Sequence, residues 1–464
     1  MAGSCSDGGQ YGPAIARHAA AATTAPLPDE VREKAKLHLL DTLAAIVSGA
    51  ALEAGIAGQR YVASLGGAAI APVLGTGLRA PLAEAALANG MAAHADESDD
   101  SQEDSQTHPG CGVVPAAIVT GAALGCPGDA LLRATILGYE MTVRFARAFG
   151  GAMTFKSSSL SSHAYGPLFG AGYAAGALMG FDADRFMILL NYLAQEASGL
   201  TTWRLDERHT LKSYVFGGMP AMNGVKSAAL VRAGFTGGGD ALDMNERNML
   251  DAISPEPRPD ALTQQLGTRF AIMETDIKCY PVGYPIAAPL AALEAILAEQ
   301  RITAPDITAI RIHYSEHWYK VIGDKSRMPD VNLRYCMTAA ALDGRLSFDA
   351  AHDSARMESP DVVRMGQRIA MLGPTPGLER FAAVVEVDAA GRTYRRAQGR
   401  DVRGRVENPM TRDEVEAKAA ELMGTVLPAA QVRAAIAMLR RVDESADCRE
   451  LVALLTPESN VRSG

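Results

Sequence analysis

Two long stretches of this chain carry no charge: residues 109–128 and 164–181. A helix facing water needs a polar face, so segments like these have to be buried on all sides. The first holds three prolines. The second is mostly Gly and Ala, with Gly172, Gly176 and Gly180 four residues apart. Small residues at that spacing let two helix backbones approach closely, as in a membrane pair. Their low hydrophobicity and the lack of further spans predict a buried helix of a globular protein instead. Composition agrees: 48% of residues are hydrophobic but only 6% aromatic, and 45 of 464 are Gly. Small side chains must therefore make most helix contacts. At roughly 100–200 residues per domain, the length predicts two to four domains.

Net charge is 44 − 53 = −9. An acidic protein is a poor match for nucleic acid as its main partner. It can still bind an anion, because one pocket can be basic on an acidic surface. Six cysteines stand at 5, 111, 126, 279, 336 and 448, with no CxxC pair. This spacing predicts neither a disulfide framework nor a zinc module, and it fits a reducing cytoplasm. The first residues, MAGSCSDGGQYGP, lack the basic and apolar regions of a signal peptide. No membrane association is expected.

The expected fold is mainly α. Val31, Ala35, Leu39, Leu43 and Ile46 repeat with helical period over 30–49, and Pro81 opens a helix running to about His94. Further helices are expected at 113–124, 128–149, 165–180, 183–198 and 218–234, bounded by Gly, Pro or Asp. After about residue 270 the texture changes. Residues 307–314 alternate and are rich in Ile, and 382–387 and 393–397 flank a five-residue loop containing Gly391. Helices at 284–298 and near 330–343 accompany these strands, and helices return at 411–424, 429–441 and 446–455. The expected organisation is a large helical domain built from 1–270 and 405–464, with a smaller α+β lid domain inserted at 271–404. A cleft between domains is a common place for a small-molecule site.

Six carboxylates lie within nine residues: Asp96, Glu97, Asp99, Asp100, Glu103 and Asp104, flanked by His94 and His108. Three readings compete. The loop is simply solvated, or it holds a divalent metal, or it positions acid/base groups at a helix end. The spacing is not that of an EF-hand. Lys212 precedes a Gly-rich helix start, and Lys278 stands just before another helix. A lysine near a helix N-terminus favours a bound carboxylate, though a lone loop lysine is more often solvated. His163 leads the second uncharged stretch, where a satisfied structural histidine is the plain alternative. Gly75-x-Gly77-x-x-Ala80 matches a dinucleotide pattern, but the helix after it leads into the acidic loop rather than a second strand.

The ordered set NG-x3-H-x4-DD-x7-HP at 89–109, GYE at 138–140, His163, Lys212 before GG…NG, Lys278-x-Tyr-Pro and Tyr335-x6-LDG resembles the MmgE/PrpD superfamily. The likeness runs over about residues 10 to 455. That family includes 2-methylcitrate dehydratases, cis-aconitate decarboxylases and iminodisuccinate epimerases. The resemblance implies a helical domain with an inserted lid, usually as a homodimer. It also implies no metal or organic cofactor, and a site between the domains for small di- or tricarboxylates. Carried over residue by residue, it implies catalytic roles for His108, His163, Lys212, Lys278 and Glu97. Asp96, Asp100, Tyr335, Tyr280 and Gly283 would bind substrate. Two positions depart from the pattern. Glu97 stands where decarboxylase-like members have aspartate, and Gly283 where many members have histidine.

The implied chemistry is that of a lyase, a dehydratase or decarboxylase, acting at a carbon beside a carboxylate. Such a carbon acid needs a positioned base and cations against the developing charge. Histidine suits the first task near neutral pH, and lysine the second. An epimerase, which needs acid/base groups on both faces of the carbon, and a non-catalytic carboxylate-binding protein are the alternatives.

Overall fold

The computed structural model describes residues 11–151, 158–243, 248–315, 327–372 and 375–457. The chain is mainly α-helical. It divides into two compact units. One holds the described residues up to Ala95, then Asp99–Ile277, then those from Thr411 onward; the other holds Asp96–Ser98 with Lys278–Met410.

The first unit is helical. Its elements are α1 (Tyr11–Ala22), α2 (Asp29–Gly49), α3 (Glu53–Ala63), α4 (Leu82–Ala93), α5 (Pro109–Leu124), α6 (Gly128–Ala148), α7 (Ser162–Leu178), α8 (Ala183–Glu196) and α9 (Met219–Arg232). Three C-terminal helices complete it. The two uncharged stretches form α5 and α7, and nearly every residue of both is buried. Gly172 and Gly176 of α7 lie against Leu193 and Phe186 of α8, so their spacing serves packing within the unit. Among the described residues no single helix is long and apolar enough to cross a membrane. The pair α2 and α3 passes that test jointly, but with a 77° bend between them.

The dinucleotide-like segment is a tight antiparallel hairpin. Ala71 and Pro72 pair with Ala80 and Arg79, and Gly75 turns the chain at φ +70°. Asn89 fastens this hairpin to α4. Its amide oxygen accepts from the Leu74 N–H at 2.9 Å, and its amide nitrogen donates to the Pro72 carbonyl at 2.8 Å. Next to it, Gly90 meets Gly217 backbone to backbone. A Cβ on Gly90 would sit 2.4 Å from the Gly217 oxygen, and one on Gly217 would sit 2.1 Å from the Gly90 oxygen. Gly217 belongs to a single π turn, Tyr214–Gly218, inserted between a short helix, Thr210–Ser213, and α9.

The second unit, leaving aside Asp96–Ser98, has a four-stranded sheet. Its elements in chain order are α10 (Ala287–Gln300), β1 (Ile307–Tyr314), α11 (Leu333–Asp343), β2 (Ile369–Leu372), β3 (Ala383–Ala389) and β4 (Arg392–Gln398). The strand order is β2-β1-β3-β4. β2 runs parallel to β1, and the other neighbours are antiparallel. The apolar residues of β1 and β3 form one core with α10 and α11. β4 is an edge strand, and its Arg392, Arg395 and Arg396 discourage pairing with another chain. The loop between β3 and β4 is shorter than the five residues expected. Ala389 pairs with Arg392, and only Ala390 and Gly391 turn the chain, at φ +51° and +73°. Two left-handed residues are what a two-residue turn needs to match the twist of its strands.

The backbone contact between Gly90 and Gly217 gives a direct test. Gly90→Ala is expected to lower the unfolding free energy by about 1–3 kcal/mol, the usual cost of overpacking. Gly77, where a Cβ would meet nothing within 4 Å, is the control. Gly77→Ala should stay within about 0.5 kcal/mol of the parent in urea unfolding.

Candidate active site

Helix α4 ends at His94, and the chain enters the acidic loop. Composition allowed a solvated loop, but Asp96, Glu97, Asp99 and Asp100 are all buried, Asp99 and Asp100 completely. A buried carboxylate is costly unless donors surround it. The donors come from distant parts of the chain.

Asp100 is the anchor. It accepts from His38 Nδ1 at 3.0 Å, from the Tyr139 hydroxyl at 2.5 Å and from the Gly110 N–H at 3.0 Å. These bonds tie the loop to α2, α6 and the N-terminus of α5, where a negative charge is favoured. Gly110 is needed for the approach, since a Cβ there would lie 2.4 Å from Thr42 Oγ1 and 2.8 Å from the Tyr139 hydroxyl. The expected substrate-binding carboxylate is thus committed to the fold.

Asp99 points the other way. It accepts from His94 Nδ1 at 2.9 Å and from His108 Nδ1 at 3.2 Å. Both imidazoles then carry their proton on Nδ1 and present Nε2 as the free lone pair. His108 caps α5, and its ring centroid lies 5.1 Å from that of His94 and 5.4 Å from that of His163. Phe216 of the π turn, 1% exposed, is the ring they share. His94 stacks on it at 4.4 Å and His163 at 4.1 Å, and His108 tilts against it at 5.5 Å. Lys212 places its ammonium 5.4 Å from the Phe216 centroid and 5.7 Å from that of Trp203, within cation–π range. Lys212 is buried rather than solvated. His209 adds a fourth imidazole 6.1 Å from His94, in a left-handed backbone at φ +59° that is uncommon for any residue but glycine.

Electrostatics separates these histidines. Burial first, then the cations around it, lowers the pKa of His94 to about 3, against the pull of Asp99. Burial and the neighbouring His108 and His94 hold His163 well below the ordinary 6.5. His163 Nδ1 is buried with no partner among the described residues. Both rings are neutral at pH 7. His163, neutral and with no partner on Nδ1, is a poor base but a sound hydrogen-bond donor to a developing oxyanion, whereas the N–H of His94 is held by Asp99. His94, Asp99 and Cys111 also bring one metal-ligating atom each within 4.8 Å of one another. His94 and Asp99 are bonded to each other there, and the Cys111 thiol donates to the His108 and Phe216 carbonyls. The trio therefore reads as part of the hydrogen-bond network.

The remaining expected residues lie in the second unit. Lys278 Nζ is 2.8 Å from the Glu97 carbonyl and 3.3 Å from Glu97 Oε2. Asp96 accepts from the Ser98 N–H and hydroxyl, and His352 Nε2 lies 3.0 Å from its Oδ2. Tyr335 is buried and donates to the Ala350 carbonyl at 2.6 Å. Tyr280 donates to Glu294 at 2.9 Å. Gly283 takes an ordinary backbone conformation, and its N–H donates to the Asp330 carbonyl at 2.8 Å. Both tyrosine hydroxyls are committed to protein oxygens.

Of the expected residues, then, His108, His163 and Lys212 gather around Phe216, and Glu97 and Lys278 form a pair. Sequence reasoning left out His94, Asp99, Trp203, His209, Phe216 and His352. His94 and Asp99 carried a signal, a histidine closing an apolar helix five residues before a carboxylate.

Residues 13–262 match the MmgE/PrpD N-terminal domain, and residues 280–444 match the MmgE/PrpD C-terminal domain. The first match contains the whole histidine cluster; the second begins two residues after Lys278 and contains His352. A search of curated proteins returns no match.

The buried neutral histidines set the acid limit of stability. His94, His163, His38 and His18 all have folded pKa values below 6.5, about 4 for the last two, with burial the main cause. Unfolding exposes them at their ordinary value, so the unfolded chain takes up protons as pH falls below 6.5. Asp41, pushed up to about 6 by burial, opposes them, and so, at lower pH, do Glu140, Glu294 and Asp240, which burial also raises. Stability should therefore fall first as pH drops below 6.5, by at most about 1.4 kcal/mol per pH unit for each net proton, and level off as the raised carboxyls take up theirs. Urea unfolding followed across this range checks the slope; a flat profile would contradict neutral buried imidazoles.

Proposed function

The chain belongs to the MmgE/PrpD family, whose members act in dehydratase-like fashion on carboxylates, and from that premise we propose a cofactor-independent lyase acting on a small di- or tricarboxylate. The observation that carries this reading is the single carboxylate, Asp99, bonded to Nδ1 of both His94 and His108.

His108 is the base. Asp99 fixes its tautomer and stabilises the imidazolium that forms when Nε2 takes a proton from the carbon beside the substrate carboxylate. Lys212 faces the negative charge that builds on that carboxylate as the carbon–hydrogen bond breaks. His163, neutral and stacked on Phe216, donates to the departing oxygen. In a dehydratase that oxygen leaves as water, with the bonding electrons of the broken carbon–oxygen bond and the proton that the His108 imidazolium gives back. In a decarboxylase the leaving group is carbon dioxide, the electrons of the broken carbon–carbon bond stay on the substrate, and a proton from water, besides the one that His108 returns, completes the product.

His108→Gln should lower kcat/KM by about 10²–10⁴, the usual worth of one positioned acid–base group. Asp99→Asn should act in the same direction, by turning His108 to the wrong tautomer. The assay is proton NMR in D₂O with 2-methylcitrate, citrate, cis-aconitate and iminodisuccinate. Loss of water or carbon dioxide, abolished by His108→Gln, supports the lyase. Deuterium incorporation with inversion and no loss of mass would move the reading to an epimerase. Binding without any change in the spectra would replace catalysis by a carboxylate-binding role.

A further inference from the structure

His352 ends the five-residue helix Phe348–His352 in the second unit, with its side chain 12% exposed. Both of its ring nitrogens face oxygen. Nδ1 lies 2.7 Å from the Phe348 carbonyl, and Nε2 lies 3.0 Å from Asp96 Oδ2. A carbonyl oxygen cannot donate, nor can an ionised carboxylate. A neutral imidazole has one N–H, so one nitrogen lone pair would be forced against an oxygen. Only the imidazolium satisfies both contacts. The Nε2–H is not well aligned with Oδ2, so this contact is an ion pair rather than a good hydrogen bond.

Asp96 is 1% exposed and also accepts from Ser98, from its N–H at 2.9 Å and its hydroxyl at 2.6 Å. The segment Asp96–Ser98 is thus folded on its own carboxylate and held from outside by His352. Glu97 lies between the two residues of that turn, with its carbonyl and carboxylate on Lys278.

We propose that His352 is a positioning residue: as an imidazolium it pins Asp96–Ser98 and so keeps Glu97 on the Lys278 ammonium, and loss of its proton releases both. The segment is a proton-gated element, closed at neutral pH and opened by alkali. The charged groups facing His352 support this. Asp96, and Asp330 on the turn Pro329–Val331, are both anionic and both favour the proton. The nearby Arg356 is engaged with Asp343 at 2.6 and 2.8 Å. Although burial opposes it, the pKa of His352 lies above the ordinary 6.5, and that of Asp96 lies below 3.8. The pair is therefore complete between pH 3.8 and 6.5 and is lost as pH climbs through the raised value of His352. The inference rests on these contacts and stands whichever reaction the chain performs.

The test uses the full chain with ring-¹⁵N-labelled histidine. His352→Gln assigns the resonance. At pH 7 both nitrogens of His352 should show the protonated shift, with a midpoint above 6.5, and Asp96→Asn should lower that midpoint by about 1 unit or more, as expected for loss of a paired charge. Acetylation mapped by mass spectrometry gives the second readout. Lys278 should react several-fold faster in His352→Gln than in the parent at pH 7, while Lys212 and Lys226 are unchanged. A neutral His352 at pH 7, or equal Lys278 reactivity in the two proteins, would overturn the proposal. If His352→Gln does not fold, the one resonance whose midpoint drops in Asp96→Asn identifies His352, and the parent titration then decides.

Discussion

Two adjacent carboxylates, Asp99 and Asp100, are removed completely from water, and the helical unit is arranged to supply their donors. A buried carboxylate without partners would cost several kcal/mol, so the donors are structural requirements. Asp100 gathers α2, α5 and α6 through His38, Gly110 and Tyr139. With the backbone fixed there, the preceding residue, Asp99, points towards His94 and His108. The chemistry of the histidine cluster thus depends on a neighbour that never meets it.

The two units hold different kinds of polar cluster. Around Phe216 the imidazoles of His94 and His163 are kept neutral by burial and by each other. In the second unit the imidazole of His352 is kept charged by Asp96 and Asp330. The same side chain therefore serves as a neutral donor in one place and a cationic clamp in another. Neighbouring charge decides between them, since burial alone lowers a histidine pKa in both.

Much of the fold is legible in the sequence. The rhythm over 30–49 becomes Asp29–Gly49, Pro81 caps Leu82–Ala93, and the alternating Ile-rich segment is the strand Ile307–Tyr314. Periodicity and helix-stopping residues are local signals, and these elements obey them. α1 and α3 were missed: each is about three turns long, and its buried stripe holds a single large apolar residue, Ile15 in one and Val62 in the other, among Gly and Ala. In the site, resemblance picked out His108, His163 and Lys212. It assigned Asp100 rather than Asp99 to the substrate; the two look alike in sequence and differ in which donors reach them. Phe216 and His352 had no signal, since each also needs a partner more than 100 residues away, His94 for Phe216 and Asp96 for His352. The loop looked open to a solvated reading for the same reason: composition counts charges, and burial depends on their partners.

The π turn at Tyr214–Gly218 has a consequence for how this region can vary in length. A π turn inserts one extra residue into an otherwise α-helical path. Lys212 and Phe216, four residues apart, share a face, and the extra residue sets how that face is turned relative to α9. Removing one residue would restore a plain α-helix and rotate everything before it by about 100°. Lys212 and His209 would turn together, out of register with α9. An insertion or deletion of one residue changes that geometry. The segment is therefore fixed in length, as Gly217 is fixed in size by the Gly90 backbone.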